Sequence, residues 1–230
     1  MSATGRNLEG NERRGNDHYV TPWWAVHRFL EKYKPKEGAT VLDPCAANGE
    51  LLHAIKKVRP DLVLLAIELR PECTIHLQRL KDAGVISEFH IANFTHELAP
   101  LIPSGAVDYI VTNPPYSLSQ EFIEAGKKIV RISHSYLMRV NFLGAQDRYE
   151  FTVKTGPYLW ISPNRPSFTG WGGDATEYAW FTYDDAELGG NGWSMLDLTP
   201  AGDIRKWNAE ARAKWPKPEK AETTVAESAA

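Results

Sequence analysis

The sequence predicts a doubly wound α/β fold, a mostly parallel sheet of seven strands with a terminal antiparallel hairpin. Three observations predict it. Short apolar runs at 39–43, 62–67, 85–90 and 107–112 alternate with segments of helical pattern, and continuous apolar runs are what strands buried on both faces require. The first of these runs leads through a small-residue loop into the helix-like ELLHAIKKV, and a strand followed by a helix comes again over 62–83. Beyond Val140 the pattern changes: two aromatic-rich runs, 158–161 and 178–183, have no helical stretch between them.

Each element has its own local reason. A helix is expected from about 22 to 33, with Thr21 placed to cap it, Pro22 at its first position and WWAVHRFLEKY as its body. Ala39 to Asp43 is β-prone and stops at Pro44, and Cys45 to Gly49 form a tight loop before the next helix. Leu62 to Ile67 is a second strand, followed by a helix from Pro71 to about Ala83 and a third strand at Val85 to His90. Val107 to Thr112 is a fourth strand. It runs into Asn113-Pro114-Pro115-Tyr116, a helix from about Ser117 to Val130 and a fifth strand near Ser135 to Val140. Tyr158 to Ile161 and Tyr178 to Tyr183 form the hairpin, and their connection, SPNRPSFTGWGGDATE, is long enough to suggest a function. From Gly189 irregular structure is expected, then a short helix at Ile204 to Lys214 and a tail of disordered composition at 217–230. The chain thus divides into a polar arm (1–17), an α/β core (18–188) and a C-terminal extension (189–230).

Composition narrows the chemistry. The 230 residues, 43% hydrophobic and 24% charged, suit one ordinary globular domain. The N-terminus has no apolar h-region and no stretch nears the roughly 20 apolar residues of a membrane span, so a cytoplasmic protein is expected. Cys45 and Cys73 have neither disulfide nor zinc-ligand spacing, and metal-dependent chemistry is not expected. The formal net charge is -3, yet Lys127, Lys128, Arg131, Arg139, Arg148, Lys154 and Arg165 face only Asp147 and Glu150 within 127–170. That stretch is a candidate phosphate-contacting surface.

Ligands of doubly wound sheets bind beyond the carboxyl ends of the strands, and four strand ends here carry unusual residues. Asp43 precedes a small-residue loop that lets the backbone approach a ligand. Glu68 ends the second strand, placed to accept hydrogen bonds from ribose hydroxyls. Asn93 follows the third strand and Asn113 the fourth. In Asn113-Pro114-Pro115-Tyr116 two prolines remove two backbone donors, leaving the Asn oxygen and prolyl carbonyls as acceptors. Acceptors bonded to both hydrogens of a conjugated amine favour its pyramidal, nucleophilic form. Tyr116 adds a flat face for a planar group. Trp171, beside three glycines, is a candidate contact to a base or phosphate.

These residues resemble the amino methyltransferases of DNA, particularly small phage and prophage-encoded adenine-specific enzymes, over about residues 17 to 183. Asp43, Pro44, Ala46 and Gly49 lie in a segment similar to their first cofactor motif, Glu68 looks like the ribose-binding acid, and Asn93-Phe94 like the segment that contacts the cofactor adenine. Tyr19, Thr21 and Pro22 lie in a segment similar to the motif that closes over the methionine end of the cofactor. The resemblance implies S-adenosylmethionine as cofactor and DNA, through a flipped adenine, as partner. It further implies transfer to the N6 amine, with Arg139, Asn141, Arg165 and Phe168, in the similar segments 136–142 and 165–170, at the DNA and Phe168 against the base. A bacterial host cytoplasm, with a phage or prophage source, follows from the same likeness. Ala47 departs from the Gly of many relatives, and fewer than 50 residues follow Tyr183, which leaves little room for a recognition domain. Two other readings stand beside this one: an amine or amide methyltransferase acting on RNA or protein glutamine, and a non-catalytic homologue that keeps the fold and binds cofactor or DNA.

Overall fold

The computed structural model describes residues 20–172 and 175–215. Helix α1 (Trp23–Lys32) is followed by β1 (Thr40–Asp43), α2 (Glu50–Val58), β2 (Val63–Glu68), α3 (Thr74–Asp82) and β3 (Glu88–Ile91). Next come β4 (Val107–Thr112), α4 (Ser119–Ile129), β5 (Val130–Arg139), α5 (Tyr149–Thr155), β6 (Tyr158–Ile161), β7 (Tyr178–Tyr183), β8 (Trp193–Met195) and α6 (Ala201–Lys214). The strands form one sheet in the order β3-β2-β1-β4-β5-β7-β6-β8. From β3 to β5 every pairing is parallel, whereas β7 runs antiparallel to both β5 and β6.

The strand side chains alternate between two cores. Tyr109 and Val111 of β4, Leu137 of β5 and Trp180 of β7 pack with α1, α2 and Leu77 of α3. Their neighbours Ile110, Tyr136, Met138 and Phe181 pack with Phe122, Ile123 and Ile129 of α4. All six residues of β4 are buried, as expected of a central strand covered on both faces. Among the described residues no helix is long and apolar enough to cross a membrane.

Several expectations are corrected. The sheet has eight strands, not seven: β8 pairs parallel with β6 at the edge and is too short and too exposed to carry a periodic signal. Thr21 does not cap α1. Pro22 is the cap residue, its carbonyl accepting from Ala25 N at 3.0 Å, and the Thr21 hydroxyl turns elsewhere. The third strand starts at Glu88 because Val85 still bonds back to the Leu80 carbonyl (2.8 Å), closing α3. Strand β5 begins at Val130, directly after α4. Asn141 falls beyond it, in the 3₁₀ turn Val140–Gly144. Helix α5 had no expectation against it, and α6 begins three residues earlier than expected, after Pro200.

Candidate functional site

Strand order reverses between β1 and β4, so the crevice beyond their carboxyl ends is the switch point at which this architecture binds ligands. Thr21, Asp43, Ala46, Ala47, Glu50 and Asn113 line a small cleft there, together with Val20, Cys45 and Leu51. Asp43 is only 2% exposed. Its Oδ1 accepts from the Thr112 hydroxyl (2.7 Å) and from Cys45 N (3.2 Å). Burial pushes its carboxyl up to about 7, with the nearby Glu68 charge adding to the rise and the two hydrogen bonds opposing it. The Cys45 thiol donates to the Asn113 carbonyl (3.2 Å), and burial, followed by the Asp43 charge, pushes it well above the ordinary thiol range. It is a packed thiol rather than a nucleophile.

Pro44 is buried at the start of the loop, and the loop returns to β2 through Ala46 N, which donates to the Ile67 carbonyl (3.0 Å). Ala47 has φ 50°, the left-handed region that a Cβ disfavours. Gly49, at φ 82°, caps α2, and a Cβ there would overlap the Leu80 side chain. Glu68, 4% exposed, accepts Ala47 N on Oε2 (2.6 Å) and both Arg70 N (3.0 Å) and Arg70 Nε (2.8 Å) on Oε1. Two donors fill the lone pairs of Oε1, so Oε2 is the oxygen with room for another donor.

Asn113 follows directly on β4, its Nδ2 donating to the Thr21 hydroxyl at 3.1 Å. Its Oδ1 is buried and, among the described residues, has no hydrogen-bond partner. Such an atom normally finds one, and Asn113 lines the switch-point cleft. Pro114 is buried. The Pro115 carbonyl already accepts Leu118 N (2.9 Å) in the turn leading to α4, so only part of the acceptor set expected of the tetrapeptide is open.

The aromatic side of the site is built from distant segments. The Arg139 guanidinium lies over the Tyr116 ring, 5.0 Å from its centroid, and Arg139 Nε donates to the Tyr178 hydroxyl (3.1 Å). The Tyr178 ring packs 6.0 Å from Tyr116 and 5.3 Å, edge-on, from Phe168. Phe168 therefore sits one ring away from Tyr116, buried at 5% exposure.

Other expected residues lie apart. Asn93 Oδ1 accepts from His96 N (3.2 Å) at the start of the next helical turn, and Phe94 is buried against Phe122 at 5.5 Å. Arg165 pairs with Glu177, and Asn141 is exposed. Trp171 Nε1 donates to the Trp215 carbonyl (3.0 Å), and Arg212 lies over its ring at 5.1 Å. Within the basic stretch Lys127 meets Asp184 (3.2 Å), Arg131 meets Asp108 and Arg148 meets Asp147 (3.6 Å); Asp184 and Asp108 are outside the stretch, where a local tally misses them. Tyr19 lies outside the described residues. Sequence reasoning missed Thr112, Tyr178 and Arg70. Thr112 was within reach, as the last residue of a strand ending at Asn113, but Tyr178 becomes visible only once β5 and β7 pair with Arg139 opposite it.

No family model matches the chain. It is similar to a release factor glutamine methyltransferase of Enterococcus faecalis, 29% identical over 111 residues, covering 46% of this chain and 39% of that protein. It is also similar to one of Mycolicibacterium smegmatis, 36% identical over 96 residues, covering 40% and 31%. The chain thus spans between three and four tenths of the length of these curated relatives. Among solved structures, an Agrobacterium tumefaciens protein described as a predicted O-methyltransferase superposes with a TM-score of 0.57 at 16% identity, over 80% of this chain and 96% of its own. A Listeria monocytogenes protein assigned to the class I S-adenosylmethionine-dependent methyltransferases gives 0.58 at 14% identity, over 83% and 72%. The chain has the Rossmann-like α/β methyltransferase fold, a mostly parallel sheet ending in an antiparallel hairpin and extended here by an eighth strand.

Proposed function

We propose that the protein is an S-adenosylmethionine-dependent methyltransferase acting on the NH2 of a planar, conjugated group. The observation that carries this reading is the buried, unpartnered Asn113 Oδ1 at the switch point. The cleft beside it fits the cofactor in two respects. Asp43 and Glu68 are buried carboxylates suited to a cationic nucleoside, and the loop residues Cys45, Ala46 and Ala47 line the cleft with small side chains only. Asp43, Ala46, Ala47 and Glu68 would hold the cofactor, whose sulfonium supplies an electrophilic methyl group. Asn113 Oδ1 accepts a hydrogen from the acceptor nitrogen, which draws its lone pair out of conjugation, and Tyr116 offers a face to the planar group. Orientation and electrostatics do the remaining work, and the nitrogen releases one proton to solvent after transfer.

Two acceptors meet this description. The side-chain amide of a protein glutamine is the first, favoured by the names of the curated relatives and by the carboxylates that neutralise much of the basic stretch. Adenine in DNA is the second, favoured by the half-buried Tyr116 ring with the Arg139 guanidinium over it, a pair suited to a flipped base and backed by the buried Tyr178 and Phe168 rings. The test is to incubate the protein with methyl-labelled cofactor and either a release factor or unmethylated DNA, then digest and identify the product. Methylglutamine supports the first acceptor and N6-methyladenine the second. Label in neither, from a protein that binds the cofactor, would refute the transfer reading.

A further inference from the structure

We propose that Thr21 is the positioning residue of Asn113, its hydroxyl holding the carboxamide nitrogen so that Oδ1, and not the NH2, faces the acceptor amine. The proposal rests on the reading of function above. A carboxamide has an acceptor end and a donor end of nearly equal shape, and a half-turn about its last torsion exchanges them. With the NH2 outward, Asn113 would offer donors to an amine that is itself a donor, and the activating hydrogen bond could not form.

The Thr21 hydroxyl accepts from Nδ2 at 3.1 Å, which leaves Oδ1 as the end of the carboxamide without a partner among the described residues. Thr21 is 5% exposed, so water does not readily replace it. The hydroxyl is available because Thr21 lies outside α1, with Pro22 as the cap residue.

The position of Thr21 is fixed in turn by α6. Val20, Trp24 and Ala25, on either side of Thr21, pack with Trp207 and Ala211 of that helix. The same helix fastens the Phe168 segment, since Trp207 Nε1 donates to the Ser167 carbonyl (2.6 Å) and Arg212 Nε to the Gly170 carbonyl (2.7 Å). A helix from the C-terminal extension therefore braces both the residue that orients Asn113 and the segment beside the aromatic cluster.

The test compares Thr21→Val, which keeps the shape and removes the acceptor, with Thr21→Ser, which keeps the hydroxyl. Thr21→Val is expected to lower kcat about tenfold, the order of one hydrogen bond, with KM for S-adenosylmethionine within about threefold of the unaltered protein. Thr21→Ser is expected to restore most of kcat. The NMR resonances of the Asn113 side-chain NH2 should shift in the Val variant and stay in place in the Ser variant. An unchanged kcat in Thr21→Val overturns the proposal. So does a loss confined to the cofactor KM, which would make Thr21 a cofactor contact, and so does an equal loss in both variants that tracks a lowered Tm. Should the unaltered protein transfer to neither acceptor, the functional reading fails and the assignment with it. An Asn113 amide signal indifferent to Thr21→Val overturns the contact whatever the activity.

Discussion

In the proposed site, the half assigned to the cofactor and the half assigned to the acceptor are built in different ways. On the cofactor side, Asp43, the loop to Gly49 and Glu68 come from two adjacent parallel strands and are joined by short hydrogen bonds to backbone and hydroxyl groups. On the acceptor side, Tyr116, Arg139, Phe168 and Tyr178 come from four separate segments and meet through ring packing and a guanidinium. The first half is local and polar; the second is assembled at long range and depends on α6 to hold one of its segments. One fold can thus keep its cofactor chemistry while its acceptor changes, because the two sets of residues share little beyond Asn113.

Asn113 joins the halves, and its removal should have the largest effect. Asn113→Ala is expected to lower kcat by about 10²–10³-fold, the range for loss of a preorganised hydrogen-bonding group, while the cofactor Kd moves by no more than a few-fold. Single-turnover transfer and equilibrium binding on the same sample check it. Parallel loss of binding would mean that the two halves are not separable. Next in size is Gly49→Ala, confined to the cofactor half. A Cβ at φ 82° overlapping Leu80 should destabilise the protein by about 1–3 kcal/mol, read as a lower denaturation midpoint with weaker cofactor binding. A variant of unaltered stability would show that α3 yields to the loop.

The cofactor half should also respond to pH. Because burial raises Asp43 to about 7, the folded protein keeps a proton between the ordinary carboxylate range and about pH 7 that the unfolded chain has released. The Asp43 contribution to stability therefore falls as pH rises through that window, and Asp43→Asn should remove this slope. A cationic ligand favours the ionised form, so affinity for S-adenosylmethionine should rise up to about fivefold from pH 6 to pH 7, about twofold more to pH 8, and level off above. Calorimetric titration checks this, and a flat affinity profile would mean that Asp43 does not face the ligand's charge. On the acceptor side, Tyr178→Phe takes one hydrogen bond from Arg139 and should raise the acceptor KM several-fold, about 1 kcal/mol, with cofactor Kd unchanged. Equal changes in both would contradict the division.

The two halves also differed in how far the sequence revealed them. Asp43, Glu68 and Asn113 were legible because a strand end is a local feature, marked by a polar residue closing an apolar run, and strands taken in series place such ends side by side. The tetrapeptide was legible for the same reason. Tyr178 was not, since its role depends on register with Arg139 across β5 and β7. The ion pairs that neutralise Lys127, Arg131 and Arg165 were hidden because Asp184, Asp108 and Glu177 lie elsewhere in the chain. Strand β8 and the brace formed by α6 were hidden too, the first by its three-residue length and the second because its contacts with Val20 and Gly170 follow no period.

The smallest effect is expected at Ala47, where sequence and structure agree on a cost. Its φ of 50° places a Cβ in the left-handed region at about 1–2 kcal/mol, whereas glycine adopts that conformation without a steric penalty but gains freedom in the unfolded chain. These terms oppose each other, so Ala47→Gly should stabilise the protein by no more than about 1 kcal/mol in a denaturant titration. Cofactor affinity should hold or improve slightly, because Ala47 meets Glu68 through its backbone N–H, which glycine retains. Transfer from a bound cofactor should not change, as Ala47 touches none of the aromatic cluster. A clear loss of affinity would instead show that the alanine methyl packs on the ligand, turning the loop at Ala47 from a backbone contact into one that reads shape.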